Sequence, residues 1–218
     1  MMYLSRLQLN TNNRQVWREI ANPYKVHQIV MRAFPDGAKR EKAQALHRLD
    51  LQDEEAILLV QSHVEPDWSN LKSTYLAPAD PYHFLPNPAV KPFDLALQAG
   101  QVLSFRLCAN PTIKKVRRDE KGERLNSNRV PLVHEEKQLA WLQQKGEQHG
   151  FHLLRASAST STQHKGWKEQ DAPPITLYTV QFDGLLQVVD PDKLWQAIQT
   201  GIGPARAFGC GLLSLARA

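Results

Sequence analysis

The sequence has only two cysteines in 218 residues, Cys108 and Cys210, and neither belongs to a CxxC pair. There is no HExxH either, so the ligand spacings of a dedicated zinc site are missing and no cofactor is called for. No apolar run approaches the roughly 18 residues that a membrane helix needs, which argues against a membrane partner. The start, "MMYLSRLQLN", lacks an apolar stretch followed by a small-residue cleavage site. That speaks against secretion and for a cytoplasmic protein, in which two reduced thiols are favoured over a disulfide. No glycine-rich segment continues into Gly-Lys-Ser/Thr, which removes a P-loop. Neither half carries the aromatic, glycine-punctuated strand of a single-strand RNA reader.

What is present is a composition suited to a folded chain: 42% hydrophobic, 22% charged and 8% aromatic residues, enough for one large domain or two small ones. The formal charge is +5, and most of it lies in one place. "KKVRRDEKGERLNSNR", residues 114–129, holds seven Lys/Arg against three Asp/Glu, a net of +4. Charge gathered in this way favours contact with phosphates through Lys114, Lys115, Arg117, Arg118, Lys121, Arg124 and Arg129. On charge alone, a solvated hairpin fits as well.

Hydrophobic periodicity orders the chain as β-α-β-β-α-β, twice. In the first half, strands are expected at 3–10, 46–52, 56–62 and 101–110, with helices at 22–34 and 67–76 and a further short one at 39–45. The proline-rich stretch 78–92 reads as an extended loop. In the second half, strands are expected at 129–133, 150–157 and 211–216. The segment 174–190 reads as strand turning at Asp183-Gly184, and helices cover 135–149 and 190–200. The expected fold is α+β, two tandem ferredoxin-like (RRM-like) domains: residues 1–110, a basic connecting segment 111–130, and residues 131–218.

Two segments carry candidate chemistry. In "ANPYKVHQIVMRAF", residues 21–34, Asn22 caps a helix and Pro23 opens it. Val26, Ile29, Val30, Ala33 and Phe34 form its apolar stripe. Tyr24 and His27 fall roughly 60° apart at the stripe's edge, free to face one cleft. Taken alone, a Tyr-x-x-His pair on a helix is more often core edge and surface than active site. In "GIGPARAFGCGLL", residues 201–213, four of the chain's eleven glycines cluster. Gly201, Gly203 and Gly209 permit positive φ and close approach to a ligand, with Arg206 supplying charge. A tight turn packing the last helix on its sheet is the alternative, and for Gly209 and Gly211 taken singly it is favoured.

These segments, with "MYLSRLQLN", "ILLVQS", "EPDWS", "FRLCANPTIKK", "RVPL", "AWLQ", "GFHLL" and "FDGLLQVVDPDKL", occur in an order that resembles the CasE endoribonucleases of type I-E CRISPR systems. The resemblance spans nearly the whole chain; residues 36–48 and 157–173 match poorly. It implies metal-independent cleavage of CRISPR precursor RNA at the base of the repeat hairpin, retention of the crRNA product, and membership of the Cascade complex beside its other subunits. It places the catalytic pair on Tyr24 and His27 and the glycine-rich loop on 201–211. Family members also use the hairpin at 157–173 on RNA. Here that stretch is rich in Ser/Thr, so the role of His164, Lys165 and Lys168 stays open. A non-catalytic RNA-binding subunit is the alternative function for the same fold.

Overall fold

The computed structural model describes residues 1–35, 43–78, 86–115, 117–118, 122, 124–125, 129–167 and 174–218; for residues 117, 118, 124, 125, 160 and 161 it describes the backbone alone. Two four-stranded antiparallel sheets organise the chain. The first is built from β1 (Met2–Leu9), β2 (Leu46–Gln52), β3 (Glu55–Ser62) and β4 (Ala89–Phe93), in the order β2-β3-β1-β4. Its strands alternate as a half-covered sheet should. Leu7, Leu9, Leu58 and Val60 point to one face, where α1 (Arg14–Ile20) and α2 (Pro23–Met31) cover them with Val16, Ile20, Val26 and Val30.

Helix α2 starts where the sequence says it should. The Asn22 side-chain oxygen accepts from the Tyr24 amide at 3.0 Å, and Pro23 occupies the first turn without wasting a donor. The preceding helix, α1, carries no strong sequence signal. It is seven residues long with Val16 and Ile20 as its buried pair, and it is capped by Asn13. The helix expected over 67–76 is not formed. Asp67 accepts from the Ser69 amide instead, and only Ser73–Tyr75 makes a 3₁₀ turn. Ser, Asn and Thr between the buried Trp68 and Tyr75 favour such local bonds over a helix. The short helix expected at 39–45 falls largely outside the described residues.

The second sheet contains β5 (Val102–Ala109), β10 (Phe151–Gly166), β11 (Ile175–Val188) and β12 (Leu213–Arg217), in the order β10-β11-β5-β12. With α3 (Glu135–Gln148) and α4 (Pro191–Thr200) it completes a β-α-β-β-α-β unit. Leu107, Leu142, Phe182, Leu186, Leu194 and Ile198 are buried between the sheet and its helices, and Trp141 stacks on Phe182 with ring centroids 6.3 Å apart. The structure is consistent with the tandem ferredoxin-like expectation, the first unit lacking its second helix among the described residues, and two strands change their expected places. The strand expected to close the first half, 101–110, is the central β5 of the second sheet, bonded to β11 and β12. Its place in the first sheet is taken by β4, at the end of the stretch expected to be a proline-rich loop; Pro92 is tolerated because β4 is an edge strand.

The basic segment is accordingly not a connection between the two units but an insertion in the second, between β5 and α3. It is a ribbon: β6 (Thr112–Lys114) pairs with β9 (Arg129–Pro131), and β7 (Arg117–Arg118) with β8 (Arg124–Leu125). Nor does β11 turn at Asp183-Gly184. It runs straight through, and Gly184 is needed because a Cβ there would stand 2.0 Å from the Arg155 carbonyl oxygen, opposite an irregularity in the β10 register.

The units are locked together. Gln61 Nε2, buried, donates to the Ile198 carbonyl at 2.6 Å. Arg48, also buried, makes a forked pair with Asp50 at 2.7 and 2.9 Å and donates through Nη1 to Ser214 Oγ at 2.9 Å and toward the Arg106 carbonyl at 3.4 Å. Among the described residues no helix is long and apolar enough to cross a membrane.

Candidate active site

Tyr24 and His27 lie on α2, both partly buried. Their ring centroids are 6.4 Å apart with planes tilted by 44°. Phe208, from the glycine-rich loop of the other unit, meets the His27 ring edge-on, also at 6.4 Å. The pair predicted from the sequence is thus brought together, and the loop predicted to accompany it abuts it. The site is composite: one unit supplies the helix, the other its backing.

The second unit also reaches the start of α2. Asn22 Nδ2 donates to the Trp167 carbonyl at 3.1 Å, and the end of β10 comes so close that a Cβ on Gly166 would stand 2.8 Å from Asn22 Oδ1. The same asparagine therefore caps the helix and ties it to the β10–β11 hairpin. Nothing in the local sequence signals that second duty.

The glycine loop is mostly a built turn. The amides of Gly201, Ile202, Phe208 and Gly211 bond to the carbonyls of Ala197, Gly211, Ala205 and Cys108. Gly201 is buried, and a Cβ there would press within 2.9 Å of Leu46 across the unit boundary. Gly203 has a φ of 84° and Gly209 one of 86°, which is why these positions take glycine. Arg206 stands at the surface, its Nε donating to the Gly203 carbonyl at 3.0 Å.

Between the units lies an apolar cavity of about 290 Å³. Its walls include Ile20 and Val26 of the helices, His47 and Leu49 of β2, Cys108 of β5 and Phe208 of the loop. Tyr24 and His27 are not among its lining residues, whereas Val26 and Phe208 are. His164 also borders it, and burial holds that imidazole below its usual range. His164 is therefore a wall residue with a neutral preference. Lys165 is exposed on β10.

On the basic ribbon, Lys114, Lys115 and Arg129 are exposed. Lys114 stands directly across from Arg129, and Arg118 across from Arg124. Like charges facing each other across a ladder are destabilising unless an anion lies between them. Lys121 and Lys168 lie outside the described residues, as do the side chains of Arg117, Arg118 and Arg124.

A fold of two ferredoxin-like units, carrying a Tyr/His pair at their junction and a cationic ribbon on one of them, defines a class of protein equipped to hold and act on a phosphate backbone. The family model for CRISPR associated protein matches residues 2–217, and the chain belongs to that family. It is 33% identical over 227 residues to the CRISPR-associated endoribonuclease Cse3 of Thermus thermophilus, covering 99% of this chain and all of that one. It is 39% identical over 131 residues to the CRISPR system Cascade subunit CasE of Escherichia coli, covering 58% and 63% of the two chains. Among solved structures, Thermus thermophilus Cse3 bound to an RNA representing a pre-cleavage complex superposes with a TM-score of 0.80 at 32% identity, over 99% of this chain and 98% of that one.

Proposed function

We propose that this protein is a metal-independent endoribonuclease that binds the repeat hairpin of CRISPR precursor RNA, cuts at the base of its stem, and keeps the product as a subunit of Cascade. The observation that carries the reading is the placement of Tyr24 and His27 side by side on α2, backed by Phe208, in a chain similar over its whole length to a named endoribonuclease.

The chemistry needs little from the protein. RNA supplies its own nucleophile: the ribose 2′-oxygen loses a proton, attacks the adjacent phosphorus, and the bond from phosphorus to the 5′-oxygen breaks. The products are a 2′,3′-cyclic phosphate and a 5′-hydroxyl that takes up a proton. His27 exchanges one of those protons, because an imidazole titrates near neutral pH. Tyr24 orients the 2′-hydroxyl or donates to a phosphate oxygen. The contact with Phe208 fixes the imidazole plane, which proton transfer at a defined atom requires.

The stem is gripped by the ribbon. A-form RNA presents phosphates more readily than base edges, so Lys114, Lys115, Arg117, Arg118, Lys121, Arg124 and Arg129 act chiefly as phosphate ligands, with Arg206, Lys165 and Lys168 in lesser roles. Gly201, Gly203 and Gly209 serve the RNA indirectly, by shaping the loop that backs His27. The division between the two units falls at 94–101, between β4 and β5, a placement supported by the sheet membership of those strands.

The test is cleavage of the repeat hairpin in excess EDTA with end-group identification. A cyclic phosphate product is expected, and binding without cleavage by the wild-type chain overturns the reading.

A further inference from the structure

The two cysteines, about a hundred residues apart in sequence, meet in the fold. Cys108 is on β5, on the face of the sheet turned toward the first unit; Cys210 is in the glycine loop. The Gly211 amide bonds to the Cys108 carbonyl at 2.8 Å, which sets the loop beside the strand at ladder distance. That backbone bond places Cys210, the residue before Gly211, next to Cys108, near enough for each thiol to perturb the other's ionisation. Cys108 also lines the inter-unit cavity, whose roughly 290 Å³ admits several molecules the size of water or hydrogen peroxide, whereas Cys210 is fully buried and does not line it.

We propose that Cys108 and Cys210 form a peroxide-oxidisable dithiol whose disulfide ties the glycine loop to β5 and displaces Phe208 against His27. The accessible sulfur is the one poised to react. The neighbouring Cys210 and the charge of Arg48 pull the Cys108 thiol down against its burial, while the neighbouring Cys108 and burial push Cys210 up. The Cys108 thiolate attacks one peroxide oxygen; the O–O bond breaks, leaving a sulfenic acid and, after protonation, water. The Cys210 sulfur then attacks the Cys108 sulfur; the S–O bond breaks, and hydroxide leaves with the Cys210 proton as a second water. In sum, two thiols and one peroxide give one disulfide and two waters.

The consequence at Phe208 follows from stiffness. Closing the bond draws the sulfurs from non-bonded contact to about 2.04 Å. β5 is held by strands on both sides and cannot follow, whereas Cys210 is flanked by Gly209 and Gly211, both at positive φ. The loop therefore absorbs the movement, and Phe208 is two residues from Cys210.

The experiment treats the full-length protein with hydrogen peroxide and follows intact mass, iodoacetamide uptake after unfolding, and the His27 ring-proton NMR signals. None of the three readouts needs RNA. The wild type is expected to lose 2 Da, to take up no alkyl groups, to yield a Cys108–Cys210 linked peptide, and to shift its His27 signals, all reversed by dithiothreitol. Cys108→Ser is expected to consume peroxide at least tenfold more slowly and leave the His27 signals in place. Because Cys210 is buried, Cys210→Ala is run beside Cys210→Ser; either is expected to stop at a dimedone-trapped sulfenic acid on Cys108. Two alkylatable thiols in the peroxide-treated wild type overturn the dithiol, and a linked peptide with unmoved His27 signals overturns the displacement of Phe208.

Discussion

His27 and Tyr24 divide the proposed reaction unequally, and the division is measurable. An imidazole that moves a proton in the transition state contributes about 10²- to 10⁴-fold. His27→Ala is therefore expected to lower single-turnover cleavage by at least 10²-fold while hairpin affinity changes by less than about threefold. Tyr24→Phe, which removes only a positioning hydroxyl, is expected to lose roughly tenfold. Other histidines respond to pH through stability. Burial lowers the pKa of His164, and burial with the nearby Lys145 and Arg206 lowers that of His149. The unfolded chain then binds more protons than the folded one as pH drops below about 6.5, so stability present at neutral pH is lost as pH falls. Melting temperature is expected to decline from pH 7.5 to pH 5.5, and His164→Gln to flatten that decline. At this scale the sequence was informative where chemistry is local: Asn22, Pro23, Tyr24 and His27 stand as their spacing implies. It was silent on Phe208, because nothing in "ARAFGCG" announces that an aromatic ring will cross to the other unit and meet an imidazole.

Among the elements, the basic ribbon and the glycine loop are under opposite pressures. The ribbon has no core of its own and places Lys114 against Arg129. Removing both charges by Lys114→Ala with Arg129→Ala is expected to leave thermal stability unchanged or slightly raised. It should weaken hairpin binding at 0.1 M salt by tenfold or more. The slope of log affinity against log salt should shrink by roughly 2, since each phosphate contact contributes about one counterion. An unchanged slope in a salt titration would remove the ribbon from the RNA interface. The glycine loop is strained at one non-glycine position, Ala205, whose φ is 63°. Ala205→Gly is expected to stabilise by about 0.5–1 kcal/mol in chemical denaturation, the left-handed penalty being partly offset by a freer unfolded chain. Elements with strong periodicity or caps were legible: α2, α3, α4, and the β2–β3 hairpin. Those fixed by tertiary pairing were not. β4 and β5 look alike as isolated extended segments, and only the sheets decide which unit each one joins.

For the molecule as a whole, the lock between units matters most, because the site is built from both. Arg48 is about 4% exposed and satisfies Asp50, Ser214 and the Arg106 carbonyl at once. Arg48→Ala leaves the Asp50 carboxylate without its partner and is expected to cost roughly 3 kcal/mol, somewhat less than a fully buried pair because Asp50 retains some water. Calorimetry is expected to show one unfolding transition in the wild type and a broadened or split one in the variant. None of this network could be anticipated from the chain order, since Arg48 and Ser214 are 166 positions apart and neither belongs to a recognisable motif.

Arg48 also reaches β5 a few residues before that strand leaves the sheet to become the cationic ribbon. The ribbon proposed to grasp the stem and the pair proposed to cut its strand are thus bolted to one frame. Such a frame acts as a ruler. A repeat stem lengthened by one base pair should be severed at an unchanged distance from the grasped end, and the cut should slide along the sequence by a nucleotide, not follow a particular base.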